Sequence, residues 1–176
     1  MGQQHNIQSE NFHLRSITED DLPNIYAGLS HPDIIKHYGV QYESLEATKE
    51  QMKWFAQIEH DKTGKWFAIC SHNHLQFMGA IGLNYINHLH RKGEIGFWLL
   101  KEYWGQGIIP AAIELVCNYG FFQLGLHRIE AMVESENFNS KKVLKRAHFK
   151  HEGTMEDCEI KNGKFISLDI FAKLSQ

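Results

Sequence analysis

Two glycines one residue apart, Gly105-Gln106-Gly107, stand between a strand-patterned and a helix-patterned segment, an arrangement that can hold an anion. The first turn of a helix presents backbone N–H groups that lack intrahelical partners and carry partial positive charge. Glycines ahead of that turn remove the side chains that would keep a phosphate away. Pro110 suits the first turn, having no N–H to lose there and a φ already set. The turn reads either as a pyrophosphate cradle or as a plain strand-to-helix connection in which glycine serves geometry alone. No Gly-Lys-Ser/Thr follows, which argues against a P-loop nucleotide hydrolase.

Other reactive side chains say less. The pairs His72-x-His74 and His88-x-His90 fall in turns without an acidic or Cys partner nearby, and we read them as surface histidines with no metal site expected. Cys158, beside Glu159, has the chemistry of an acyl-accepting nucleophile, but a bystander thiol is the simpler reading. Trp54, Phe55 and Trp66 are read as core.

The elements that position the glycine turn follow from periodicity. Ile95, Phe97 and Leu99 alternate with Glu94, Gly96 and Trp98, a strand that breaks into the loop Lys101-Glu102-Tyr103-Trp104. After Gly107, Ala111, Ala112, Leu115, Val116, Tyr119 and Phe122 form an apolar helix stripe. Residues 128–133 form a further strand, so strand, helix and strand make a parallel crossover. Upstream, 12–16, 66–70 and 77–85 are strands, with a turn at His72-Asn73-His74 and with Gly79 and Gly82 marking a bulge or a close approach. Helices are expected after a Thr18–Asp21 capping box, briefly after Ser30-His31-Pro32-Asp33, over 44–61 and over 136–146. Asn162-Gly163 closes a C-terminal hairpin of 149–160 and 165–173. The expected fold is mixed α/β (α+β) in one domain, 1–176: antiparallel N-terminal strands, one parallel βαβ crossover, and a closing hairpin.

Composition bounds the function. A chain of 176 residues, 43% hydrophobic, suffices for one well-packed domain. A formal charge of -3 offers no basic field for nucleic acid. Cys70, Cys117 and Cys158 are odd in number and lack a CxxC, which suggests free thiols in a reducing compartment. Neither a signal-peptide core nor a membrane-length apolar run is found, so a cytoplasmic location is expected, with no membrane partner.

The run EIGFWL…YWGQGI…A, then RIEAMVESENFNSKKVLKRAHF, then EG, resembles the GNAT N-acetyltransferase superfamily, and more narrowly its RimJ/RimL-like, ribosomal-protein N-terminal acetyltransferase branch. The similarity spans nearly the whole chain, including the opening LRSITEDDL. Trp104 and Ile109 depart from the family's Q/R-x-x-G-x-G/A loop, though Trp-Gly-x-Gly is at home in this branch, and His148 stands where relatives commonly carry glycine.

The resemblance implies acetyl-CoA as donor and a primary amine as acceptor, either a protein N-terminal α-amine or a small amine such as a polyamine, amino sugar or antibiotic. It places the cofactor on Trp104, Gly105, Gln106, Gly107, Ile108 and Ile109, and the pantetheine arm between splayed strands along Phe97, Trp98, Leu99 and Leu100, with Asn139 positioning it. A free N–H near Trp98 or Leu99 would meet the developing oxyanion. By the same resemblance Glu159 is the base and Ser140 the donor to the leaving sulfur. Glu94, at the head of the central strand, is the rival base, although an exposed strand-end charge is the preferred reading of it. Lys141 and Lys142 are a solvated helix face or contacts for a coenzyme phosphate; Tyr38, Tyr85 and the 88–90 loop are candidates for the acceptor groove. A non-catalytic acyl-CoA sensor is the reading from another class. Exposed strands or the hairpin offer a route to a homodimer.

Overall fold

A computed structural model describes residues 6–72 and 76–175. Asn73 and His74, part of the turn and the first histidine pair considered above, lie outside the described residues. The strands are β1 (Ile7–Gln8), β2 (Phe12–Ser16), β3 (Lys65–Ser71), β4 (Phe77–Asn87), β5 (Lys92–Leu99), β6 (Arg128–Glu134), β7 (Lys150–Lys161) and β8 (Lys164–Leu174). The helices are α1 (Leu22–Leu29), α2 (Pro32–Ile35), α3 (Leu45–His60), α4 (Ile108–Asn118) and α5 (Phe138–Arg146). The strands form one sheet in the order β1-β2-β3-β4-β5-β6-β8-β7. Among these pairs only β5–β6 is parallel, joined through α4.

Strand alternation sorts side chains onto two faces. On β3, Phe67 and Ile69 enter the core shared with Ala112, Ile113 and Leu144, on the α4–α5 face. Trp66, Ala68 and Cys70 enter the core shared with Ile25, Leu29 and Phe55, on the α1–α3 face. At Gly82 a close approach, rather than a bulge, explains the glycine: a Cβ there would meet the Trp66 ring and the Lys65 carbonyl.

Local signals start the helices as expected. The Thr18 N–H donates to Asp21 Oδ2 at 2.8 Å, and Arg15 also grips that carboxylate. Ser44 Oγ accepts from the Ala47 N–H at 3.1 Å and caps α3. The apolar stripe after Gly107 differs from expectation at its end. A π-helical turn over Tyr119–Gln123 follows α4, and its wider period turns Phe122 out to 79% exposure while Gly120 faces the core. Trp54 also differs, standing at the surface, whereas Phe55 and Trp66 are buried.

The outer strand β7 is exposed along most of its length. Its register with β8 jumps between His151 and Gly153 and again between Met155 and Glu159, and Asp157 has φ 48°.

Candidate active site

The site begins where two strands part. β5 and β6 are in register only at Lys92–Arg128, Gly93–Ile129 and Glu94–Glu130. Beyond Glu94, β5 continues beside β4 as far as Leu99, and β6 continues beside β8. A groove of about 840 Å3 opens along this split. The Leu100 N–H donates to the Met78 carbonyl at 2.9 Å, so by alternation Trp98 also turns its main chain to β4. Phe97 and Leu99 therefore turn theirs into the gap. Of the two positions expected to offer a free N–H, Leu99 has the required direction and Trp98 does not. The Trp98 indole instead packs under the α1 backbone at Gly28, 4% exposed, with its Nε1–H lacking a hydrogen-bond partner among the described residues.

At the end of β5 the chain reaches the glycine turn. Gly105 and Gly107 have φ of 76° and 75°, a left-handed backbone that side chains with a Cβ resist. Gly107 is the N-cap of α4 and supplies no capping side chain, so the N–H groups of the first turn face the groove uncapped. Trp104 Nε1–H donates to the Leu99 carbonyl at 2.9 Å, and Gln106 Nε2 donates to the Glu102 carbonyl at 2.9 Å. The turn is thereby tied to the strand it follows.

The opposite wall comes from α5. Asn137 Oδ1 caps the helix by accepting from the Ser140 N–H at 3.1 Å, which sets Asn139 and Ser140 in the first turn, both lining the groove. The Ser140 hydroxyl has no hydrogen-bond partner among the described residues. Lys141 turns inward, its Nζ donating to the Ser135 carbonyl at 2.6 Å and to Asp169 Oδ2 at 2.9 Å. Burial alone would raise the Asp169 pKa, but hydrogen bonds from Thr154, Lys141 and Ser135 outweigh it and hold the group down at about 2.

At the far end, Glu94 faces the groove among Trp54, Trp66, Tyr38 and Tyr42. Burial, then the charges of Glu130 and Glu159, push its carboxyl up to about 6, against the opposing pull of Lys92. Trp66 Nε1–H donates to Asn84, and the Tyr42 hydroxyl donates to Gln51 Oε1 at 3.1 Å. At the rim, His37 Nδ1 meets Glu134 Oε2 at 2.8 Å, and Lys161 Nζ reaches Glu134 Oε1 and the Lys36 carbonyl.

The structure thus gathers Phe97, Trp98, Leu99, Trp104 to Ile109, Asn139 and Ser140 around one groove. Leu100 and Glu159 are not among its lining residues: Leu100 packs toward the α1–α3 core, and Glu159 is exposed on β7. Tyr38 and Tyr85 line the groove; the 88–90 loop does not, and His88 Nε2 instead meets the Lys62 carbonyl at 2.9 Å. Sequence reading missed His37, Gln51 and Asn84 because each looks locally like an ordinary polar position. Among the described residues no cluster of three His, Cys, Asp or Glu could hold a metal ion, and no helix is long and apolar enough to cross a membrane.

Residues 11–150 match the model of the acetyltransferase (GNAT) domain family. The chain belongs to that family.

It is 29% identical over 167 residues, 94% of each chain, to the uncharacterized N-acetyltransferase YoaA of Bacillus subtilis (strain 168). It is 26% identical over 152 residues to the spermidine N(1)-acetyltransferase of Escherichia coli (strain K12), covering 86% of this chain and 80% of that protein. RimL, the ribosomal L7/L12 alpha-N-protein acetyltransferase solved in complex with coenzyme A, shares the fold with a TM-score of 0.87 at 22% identity, over 97% of this chain and 98% of that one. The GNAT chain described here is an acetyl-CoA-dependent N-acetyltransferase. Its residues fit that co-substrate: an uncapped helix start behind two left-handed glycines suits a diphosphate, and an unpaired strand edge suits the amides of a pantetheine arm.

Proposed function

We propose that this enzyme acetylates an α-amine, a peptide or protein N-terminus, with Glu94 as the base. Bound acetyl-CoA supplies the acyl group as a thioester; the chain's own residues do the rest. Glu94 takes the proton that the amine must lose before its nitrogen can bond to the acyl carbon. The Leu99 N–H donates to the carbonyl oxygen as negative charge grows there. The Ser140 hydroxyl donates a hydrogen bond to the sulfur as its bond to the acyl carbon breaks, so that the group leaves as a thiolate which solvent then protonates, and Asn139 orients the arm's amides.

The observation that carries this reading is the placement of Glu94, half-buried in the groove at the head of the split. Burial and the neighbouring carboxylates push its pKa up to about 6, and its carboxylate forms no ion pair or hydrogen bond among the described residues. An α-amine has a pKa of roughly 7.7–8.0, so handing its proton to Glu94 is uphill by roughly 2.5 kcal/mol. A lysine-like amine near roughly 10.4 would face roughly 6 kcal/mol. Charge count argues the same way. Among the described residues Asp33 and Glu94 are the carboxylates lining the groove, and Asp33 is engaged by Lys101 at 2.5 Å. One free carboxylate among aromatic rings suits an acceptor with one ammonium group, whereas a polyamine carries several.

Thiol release measured across acceptors tests the reading. Peptides with a free N-terminus should be turned over well ahead of N-blocked lysine peptides and spermidine. A preference for spermidine, the substrate in the name of the Escherichia coli relative, would overturn it. Glu94→Gln should lower kcat about 100-fold or more, and Glu159→Gln by less than about fivefold. The reverse ranking would return the role of base to Glu159.

A further inference from the structure

The short helix α2 crosses the mouth of the split. β5 and β6 run in the same direction and part beyond Glu94–Glu130, so the split opens toward their C-terminal ends, where Glu134 is level with Trp98. α2 is tied to the first of these ends: Asp33 pairs with Lys101, two residues past the end of β5, at 2.5 Å. The residues that follow the helix are tied to the second. His37 Nδ1 meets Oε2 of Glu134, the last residue of β6, at 2.8 Å, and Lys161 Nζ donates to Glu134 Oε1 at 2.5 Å and to the Lys36 carbonyl at 2.6 Å. Burial alone would raise the Glu134 pKa, but hydrogen bonds from Lys161 and His37 outweigh it and hold the group below its ordinary value. A helix of four residues is too short to keep its place by its own hydrogen bonds, so these ties and the buried Ile34 fix it.

The two donors that act on the thioester come from opposite sides of the split: the Leu99 N–H from the β5 side, the Ser140 hydroxyl from the β6 side. The Asn137 N–H donates to the Glu134 carbonyl at 2.8 Å, and Asn137 Oδ1 accepts from the Ser140 N–H, so Glu134 and Ser140 are linked through one residue. We infer that α2 is a tie that fixes the separation of the parted strands, with Asp33 and Glu134 as positioning residues that keep the Leu99 and Ser140 donors within reach of one thioester. The inference rests on the roles given to those two donors and goes beyond them, since it assigns a part in the rate to groups that do not themselves donate to the thioester. Misplacing a catalytic group by about 1 Å can cost about 100-fold in rate. Ties that add little to stability, as half-exposed ion pairs do, can therefore still set kcat.

Steady-state kinetics on variants at the two ends of α2 test this, with acetyl-CoA and the fastest acceptor found by thiol release, whichever amine that is. Asp33→Asn should lower kcat about fivefold and Glu134→Gln about tenfold, with both KM values and the calorimetric affinity for coenzyme A within about twofold of wild type. Asp33→Glu keeps the charge and should stay within about twofold in kcat. The double variant Asp33→Asn/Glu134→Gln decides the matter. Asp33 and Glu134 share no ion-pair partner among the described residues, so independent effects would multiply to about fiftyfold. A tie already cut at one end loses little when cut at the other, and a fall of about tenfold to fifteenfold is expected. A multiplicative loss, wild-type rates in both single variants, or a loss of coenzyme affinity as large as the loss of kcat would overturn the inference. Ser140→Ala at the wild-type rate would instead withdraw Ser140 from the proposed function, and the double variant would still decide whether α2 acts as a tie.

Discussion

The indole of Trp104 donates to the carbonyl of Leu99 at 2.9 Å, tying the glycine turn to the last residue of the parted strand. It occupies the Leu99 acceptor and leaves that residue's N–H facing the gap. A side chain that in sequence replaces the family's usual Gln or Arg thus acts as a strut. Trp104→Phe keeps the ring and removes the donor. We expect the KM for acetyl-CoA to rise about threefold to fivefold, the loss of one neutral hydrogen bond, with a smaller change in kcat. Steady-state kinetics check this, and a fall in kcat alone would show that the strut does not set the cradle.

Glu94 should impose an acidic limb near pH 6 on kcat/KM, because the base works only when ionised. Glu94→Gln should remove that limb along with most of the rate. The same group has a stability signature. Its folded pKa lies above its unfolded value near roughly 4.3. The associated stability is therefore present below about pH 4 and lost as pH rises through about 6, a decline of about 2 kcal/mol relative to Glu94→Gln. Urea titrations of both proteins at pH 4.5 and 7 measure it.

Asp169 shows the opposite sign. Its pKa is depressed from 3.8 to about 2, and its side chain is only 8% exposed. The stabilisation is present above pH 4 and lost as pH falls through about 2, about 2.5 kcal/mol in all. Asp169→Asn should cost about 2–3 kcal/mol at pH 7 by leaving Lys141 without its counter-charge. Lys141 belongs to the first turn of α5, so the variant should also raise the KM for acetyl-CoA. Chemical denaturation and kinetics at pH 7 read the two effects separately.

His148 follows α5 with φ 62°, where the family commonly places glycine. Its N–H and that of Phe149 close the helix by donating to the Lys145 and Leu144 carbonyls. His148→Gly relieves a left-handed Cβ and should stabilise the protein by about 0.5–1 kcal/mol, seen as a higher urea midpoint at unchanged slope.

Features written in adjacent residues were legible. Asn162 and Gly163 have φ of 51° and 73°, the positive values a tight hairpin turn demands, and the Thr18–Asp21 box forms as its spacing suggests. The glycine turn was equally plain, since left-handed backbone restricts residue type at the position itself. The end of β5–β6 pairing at Glu94 has no such local mark, because it depends on how two distant strands diverge. For the same reason sequence reading favoured Glu159 as the base and took Glu94 for an exposed strand-end charge. Their difference lies in burial by neighbours from α3, β3 and the segment between α2 and α3, which periodicity does not report. The π-helical turn that rotates Phe122 outward was hidden because its residues continue the α4 pattern. The strand Ile7–Gln8 is too short for alternation to register.

The two register jumps in β7 matter for a molecule beyond this one. A sheet rim offers unpaired N–H and C=O groups along which a neighbouring copy could stack without limit. Here the rim is broken at His151–Gly153 and Met155–Glu159, and it bears Glu152, Glu156 and Asp157. A flat, regular template is not presented along this strand, a geometry that disfavours the stacking of further copies there.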